Sequence, residues 1–301
     1  MLGVRVPRGA PFIFFLKEKK AIKITVLGSG GFGYPLTFCN CKYCKNARLL
    51  KDKNIRKRAS LLINDEMLID LTPDCQVAMN MYNKDMSNIK YLLQTHTHLD
   101  HFDLNQFITL DFKYGSNRKT HLNLICSNLC LNDIQNKVSQ YEKMDLFDEN
   151  YLEKIHLSNK TIDHGESIQI DDYYIKAIHC THDEKIGSQI YLIKQKNKSL
   201  LYATDTSKLT STALQELKGE KIDCVFLDES FGENDYMFAH LNIKGFDEYI
   251  KTLKSNNILN NNCLVYATHI THDGNPLHDD LEKILNQNGY CVSFDGMEFE
   301  L

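Results

Sequence analysis

Residues 91–101, YLLQTHTHLDH, decide how this chain folds and what it can do. Residues 91–94 read as the end of a buried strand, and four metal-ligating side chains follow within six residues: His96, His98, Asp100 and His101. Borderline divalent cations accept imidazole nitrogens and carboxylate oxygens, so such a cluster can serve more than one ion. His96 and His98 lie two apart and point to one side of extended backbone. Asp100 and His101 can turn toward a second ion as the chain enters a helix. A loop rich in histidine by chance is the alternative, but three of only 12 histidines fall here beside an aspartate.

At 301 residues the chain fits one large α/β domain or two small ones, and 43% hydrophobic with 25% charged residues marks a soluble globular protein. A formal charge of −4 argues against a nucleic-acid partner, whose binding surface would be basic. The ten cysteines are not spaced like a small secreted disulfide scaffold, so reduced thiols and a cytoplasmic location are expected. No segment approaches the roughly 18 apolar residues of a membrane span. Near the N-terminus, Arg5 and Arg8 precede an apolar run at residues 10–16, superficially like a secretory signal. That run is short, ends in Lys17-Glu18-Lys19-Lys20, and is followed by no small-residue cleavage site. Residues 1–20 therefore read as a poorly ordered or wrongly assigned leader before a single domain over residues 21–301. No linker or repeat divides that domain, and its oligomeric state is open, a homodimer included.

A first strand at residues 22–27 runs into Gly28-Ser29-Gly30-Gly31-Phe32-Gly33-Tyr34-Pro35. A dinucleotide-binding loop would lead straight into a helix, whereas Pro35 and a cysteine cluster follow here. The loop reads either as one needing positive φ or as backbone that approaches a metal site or substrate phosphate. Cys39, Cys41 and Cys44, spaced C-x-C-x-x-C on a loop, can wrap a structural zinc with a fourth ligand from a distant Cys or His. Residues 56–63 lead into one strand and residues 67–70 into another, with Asn64-Asp65-Glu66 as the hairpin turn. Asp70 closes it, as a turn residue or as an orienting partner for a ligating histidine. Helical spacing follows at residues 103–114 and 128–141, with a strand at 121–126 between them. Residues 150–205 read as an antiparallel meander. Within it, His179 and His182 in IHCTHDE and Asp205 in LLYATDTS sit at strand ends. A buried-strand aspartate is expensive unless it is paired or bound to a metal. A strand at 224–227, a helix at 243–254 and a strand at 263–267 complete the pattern. The last of these ends in Thr268-His269-Ile270-Thr271-His272.

Ligand-type residues thus repeatedly follow strands, which gathers them at one edge of packed sheets. THTHLDH, a later histidine, an aspartate after a strand and a histidine near the C-terminus resemble the metallo-β-lactamase superfamily of hydrolases. The resemblance implies an α/β fold, a four-layer αβ/βα sandwich with a dinuclear metal site between two sheets. It assigns His96, His98 and His182 to one metal, and Asp100, His101 and His269 to the other, with Asp205 bridging. His182 is preferred to His179 because it lies in the turn after the strand. The cysteine trio, THITH and the closing SFDGMEFEL also resemble the phosphoribosyl 1,2-cyclic phosphate phosphodiesterases, over residues 22–301. That narrower resemblance implies a structural zinc on Cys39, Cys41, Cys44 and His272, and an active-site histidine at His240 in HLN. The chain departs from it in its leader and in residues 113–166, which carry no family marker. The segment IDLTPD is also similar to the pyrroloquinoline quinone biosynthesis protein. That relative lacks the complete H-x-H-x-D-H set, so the intact set favours a hydrolase.

The expected reaction follows from metal chemistry. Two divalent ions, zinc or manganese, roughly 3.5–4 Å apart lower the pKa of a shared water. A hydroxide bridging them would attack the phosphorus of a small, cyclic ribosyl phosphodiester. Asp100 would position that water, and His240 would bind a phosphate oxygen or protonate the leaving alkoxide. Thioester or lactone hydrolysis, trimming of an RNA 3′ end, and a biosynthetic scaffold of the quinone type are the alternatives.

Overall fold

Successive residues of a strand face opposite ways, and the apolar runs of this chain are apolar on both faces, as strands covered on two sides must be. The computed structural model describes residues 22–301, so the expected leader over residues 1–20 lies outside the described residues. Leu61, Ile63, Met67, Ile69, Tyr91 and Leu93 point to an inner core, whereas their neighbours Leu62, Leu68 and Leu92 point to an outer one.

Two seven-stranded sheets result. The first runs β14 (Glu298–Glu300), β1 (Lys23–Gly28), β2 (Ser60–Ile63), β3 (Met67–Ile69), β4 (Tyr91–Leu93), β5 (Leu122–Cys126) and β6 (Leu157–Thr161). It is antiparallel from β14 to β3 and parallel from β3 to β6. The second runs β13 (Cys291–Val292), β12 (Leu259–Thr268), β11 (Ile222–Asp228), β10 (Lys198–Ala203), β9 (Gln189–Gln195), β8 (Tyr173–His179) and β7 (Ser167–Ile170). It is antiparallel from β7 to β10 and parallel from β10 to β13.

Their inner faces meet in a core that includes Tyr91, Tyr173, Tyr191, Tyr202 and Phe226. Helix α1 (Lys42–Leu50) stands apart, packing Cys44 and Ala47 against Tyr34. Helices α2 (Cys75–Met81), α3 (Leu104–Ile108), α4 (Asn128–Ser139) and α5 (Glu149–Lys154) cover the outside of the first sheet. Helices α6 (Ser211–Glu216), α7 (Ile243–Ser255) and α8 (His278–Asn286) cover the second. The four layers are those of the αβ/βα sandwich.

Three local expectations need correction. Residues 150–205 are not one meander. Asp148 caps α5 by accepting from the backbone of Asn150 and Tyr151, and β6 crosses to the first sheet and pairs parallel with β5. The meander starts only at β7. The cysteine trio does not lie wholly on a loop, because Cys41 Sγ accepts from the backbone N–H of Cys44 and thereby caps α1. The helix expected over residues 103–114 stops at Ile108. There the Asp111 carboxylate accepts from the Lys113 backbone and closes a separate short turn.

Candidate metal centre

The ends of β3, β4, β8, β10, β11 and β12 converge on one edge of the sandwich and deliver the polar residues that the inner core excludes. Three of these residues, Asp70, Asp205 and His269, hold left-handed backbone, with φ of 62°, 56° and 61°. Such conformations cost free energy in non-glycine residues and persist where surrounding contacts enforce them.

His96, His98 and His182 form one cluster. His98 Nδ1 lies 3.1 Å from His96 Nε2 and 3.0 Å from His182 Nε2. The other nitrogens of two of these rings are engaged elsewhere. Thr95 Oγ1 donates to Asp70, which leaves it to accept from His96 Nδ1 at 2.9 Å. His98 Nε2 faces Asp183 Oδ2 at 3.3 Å. These contacts place the protons of His96 and His98 on Nδ1 and Nε2 respectively, so that the unprotonated His96 Nε2 and His98 Nδ1 point at one another. Facing lone pairs repel, and a cation between them removes the repulsion.

Asp100, His101 and His269 form the second cluster. His101 Nδ1 donates to Asp70 Oδ2 at 2.8 Å, and His269 Nδ1 meets Ser230 Oγ at 2.8 Å. Their Nε2 atoms face each other across 3.3 Å. Asp205 stands between the clusters. Its Oδ2 is 3.0 Å from His101 Nε2 and 3.5 Å from His269 Nε2, while Oδ1 is 3.5 Å from His182 Nε2. Oδ2 is buried and faces the imidazole nitrogens of both His101 and His269, an arrangement suited to an oxygen that ligates a metal beside them. Burial opposes ionisation of Asp205, yet the charges of His101 and His269 hold its carboxyl well below the usual carboxylate range. Burial likewise opposes charge on His101, but Asp205, Asp100 and Asp70 outweigh it and raise that imidazole well above its ordinary value. The pocket therefore favours positive charge. Its donor set of imidazoles and carboxylates fits two divalent cations, with Asp205 shared.

The glycine loop reaches this pocket. A Cβ on Gly31 would stand 2.5 Å from His269 Cε1, and the Phe32 N–H donates to Asp100 Oδ2 at 3.3 Å. His240 lies at the rim, its ring stacked on His269 at 5.1 Å. Burial lowers its pKa, but Asp228, 2.8 Å from Nδ1, raises it to about 9. Phe231 packs edge-on against His240 at 5.6 Å and leads out to Tyr236 and to Phe238, which is 73% exposed.

A separate site gathers Cys39, Cys41, Cys44 and His272. Cys39 Sγ and Cys41 Sγ lie 3.5 and 3.6 Å from His272 Nδ1. Burial disfavours the Cys41 thiolate, but the Cys44 backbone N–H and His272 bring its pKa down to about 6. A trio of thiols and one imidazole fits a tetrahedral zinc.

All the residues singled out from the sequence thus fall into these two sites, except His179. Its Nδ1 meets Thr210 Oγ1 at 3.1 Å, away from the clusters. Sequence reading passed over three supporting residues. Asp228 accepts from the Asp205 backbone and from His240, Ser230 braces His269, and Gln94 Nε2 donates to Asp70 and to the carbonyls of His96 and His101. Asp228 followed the same strand-then-acid signal as Asp205. Gln94 and Ser230 carried no local signal.

The family model described as "Beta-lactamase superfamily domain" matches residues 66–270. Among solved structures, a diphosphatase described as new and from the PhnP family is 22% identical, with a TM-score of 0.69, covering 93% of this chain and 97% of that one. Zinc-bound PqqB from Methylobacterium extorquens is 16% identical, with a TM-score of 0.68 and coverage of 93% and 100%. The human short-form tRNase Z is 14% identical, with a TM-score of 0.60 and coverage of 92% and 98%. No curated protein matches the sequence. At such identities these structures speak for the fold alone. The family match spans most of the chain, and the sandwich carries His and Asp clusters at its strand ends, so the protein belongs to the metallo-β-lactamase superfamily.

Proposed function

We propose that the protein is a metal-dependent phosphodiesterase acting on a small, cyclic ribosyl phosphodiester. The observation that carries this reading is Asp205, whose two oxygens face two separate ligand clusters. His96, His98 and His182 would hold one ion and Asp100, His101 and His269 the other. Bound there, two divalent ions lower the pKa of water and draw charge from a phosphate. Asp100, held by the Phe32 N–H, is the acceptor placed to orient the attacking water. His240, anchored through Nδ1 on Asp228, leaves Nε2 free to donate to a phosphate oxygen or to the leaving alkoxide. The Asp228 carboxylate beside Nδ1 favours the protonated ring. Cys39, Cys41, Cys44 and His272 would hold a third, structural zinc. The reduced thiols suit a cytoplasmic protein.

Metal analysis alongside hydrolysis of 5-phosphoribosyl 1,2-cyclic phosphate and bis(4-nitrophenyl) phosphate tests this reading. Three metals per chain, one of them resistant to chelation, with turnover of the cyclic phosphate, is the expected result. Turnover of the generic diester alone would discard the ribosyl substrate. Turnover only of a thioester, a lactone or a precursor tRNA would discard the phosphodiesterase. One metal and no turnover would indicate a scaffold.

A further inference from the structure

On the outer side of the first sheet, away from the metal centre, a cavity of about 540 Å³ opens between the strands and α3. That volume lies within the range of small-molecule sites, roughly 300–1,000 Å³. Leu68, Leu92 and Leu122 line it from β3, β4 and β5, and Met86 lines it from the segment before β4. The one cationic side chain of the lining is Arg118, only 8% exposed. Its Nη2 donates to the carbonyls of Ile155 and His156 at 2.6 and 3.0 Å. Nε and Nη1 are buried and have no acceptor among the described residues. Burial lowers the Arg118 pKa, and no neighbouring carboxylate counters it.

A guanidinium stays charged at any physiological pH, so burial without an anion leaves both its charge and its N–H donors uncompensated. Every other buried charge discussed above has a counter-ion. An apolar cavity with one unpaired cation in its wall is complementary to a molecule with an apolar body and one anionic end. The segment between β6 and α5 does not supply that anion, since it offers Arg118 only carbonyl groups.

We propose that this cavity binds a small amphiphilic monocarboxylate, with its carboxylate at the Arg118 guanidinium and its apolar chain along Leu68, Leu92, Leu122 and Met86. The site is separate from hydrolysis, because its leucines point away from the inner core and the metal clusters lie at the strand ends. It therefore stands or falls independently of the phosphodiesterase reading.

Calorimetric titration of the metal-loaded protein with decanoate, decanol and decyl phosphate tests the proposal. Decanoate is expected to bind one per chain. A charge-assisted hydrogen bond supports about ten- to hundredfold in affinity, so decanol should bind weaker than decanoate by that factor. Arg118→Gln should remove the difference between decanoate and decanol. Arg118 also ties two carbonyls, so a second variant guards against misfolding. Thr109→Trp, at an exposed position on the cavity wall, should block decanoate while leaving hydrolysis unchanged. Absence of decanoate binding, equal affinity for decanol, undiminished binding by both variants, or binding of the decyl phosphate alone would each overturn the proposal.

Discussion

Asp70 sits behind the metal centre, yet it governs one of its ligands. Its Oδ2 accepts from His101 Nδ1 at 2.8 Å, and its Oδ1 accepts from Thr95 and Gln94, so the ring of His101 is fixed in both tautomer and direction. Asp70→Asn would replace one acceptor oxygen by a donor facing the ring N–H. Partners of this kind typically govern 10- to 100-fold in metal affinity, so chelator competition should show a loss of about that size. Undiminished affinity would mean that His101 is not a ligand. His278, which is not among the ligand clusters, offers a test by pH. Its Nδ1 accepts from Arg56 Nη2 at 2.9 Å, and burial, with Arg56 and Lys53 nearby, pushes its pKa down to about 3 from an ordinary 6.5. Between those values the unfolded chain takes up a proton that the folded one refuses. The associated stability is therefore complete above about pH 6.5 and is lost as pH falls toward 3, at up to about 1.4 kcal/mol per pH unit. His278→Gln keeps an acceptor for Arg56 but cannot titrate. Its melting temperature should fall less steeply between pH 6.5 and 4.5 than that of the wild type, and parallel slopes would refute the assignment.

The glycine loop and α1 show how elements rather than single side chains shape the sites. Gly31 is needed for close approach, since a Cβ there would overlap the ring of His269. Gly31→Ala should displace that ring and lower kcat/KM about 10²-fold, the usual consequence of an ångström of misplacement, with little change in melting temperature. Unchanged kcat/KM would leave His269 without a part in hydrolysis. At α1, Cys41→Ser should remove one metal per chain and lower the melting temperature, as counted by elemental analysis and followed by calorimetry. The elements that position the site were legible because each ligand follows a buried apolar run, as Asp205 follows β10. What escaped reading was non-local. Strand β6, LSNKT, buries only Leu157 fully, and nothing in it signals parallel pairing with β5 across the intervening helices. His179 and His182 could not be separated by spacing. His179 ends β8 and meets Thr210 of the α6 cap, while His182 lies beyond the strand and turns to His98.

At the scale of the whole molecule, the metal centre is a seam. His96, His98, Asp100 and His101 leave the first sheet after β4, whereas His182, Asp205 and His269 leave the second after β8, β10 and β12. Each cluster draws on both sheets, so an ion bound in either one joins the two halves of the sandwich. The ligand geometry exists only once the sheets have packed, and cation binding must then stabilise the folded chain. At free metal a hundredfold above Kd, one site contributes about 2.7 kcal/mol. For chains of 150–250 residues each kcal/mol corresponds to roughly 2–4 °C, so stripping the exchangeable ions should lower the melting temperature by several degrees. The cysteine site draws on the start of α1 and on the segment after β12, and its three thiols are soft ligands that select zinc more strongly than the imidazoles and carboxylates of the seam. Its zinc should therefore survive mild chelation that empties the seam, and re-addition of zinc or manganese should restore the melting temperature together with hydrolysis. A stripped protein that melts at the same temperature as the loaded one would show that the two clusters do not bind ions tightly enough to join the sheets.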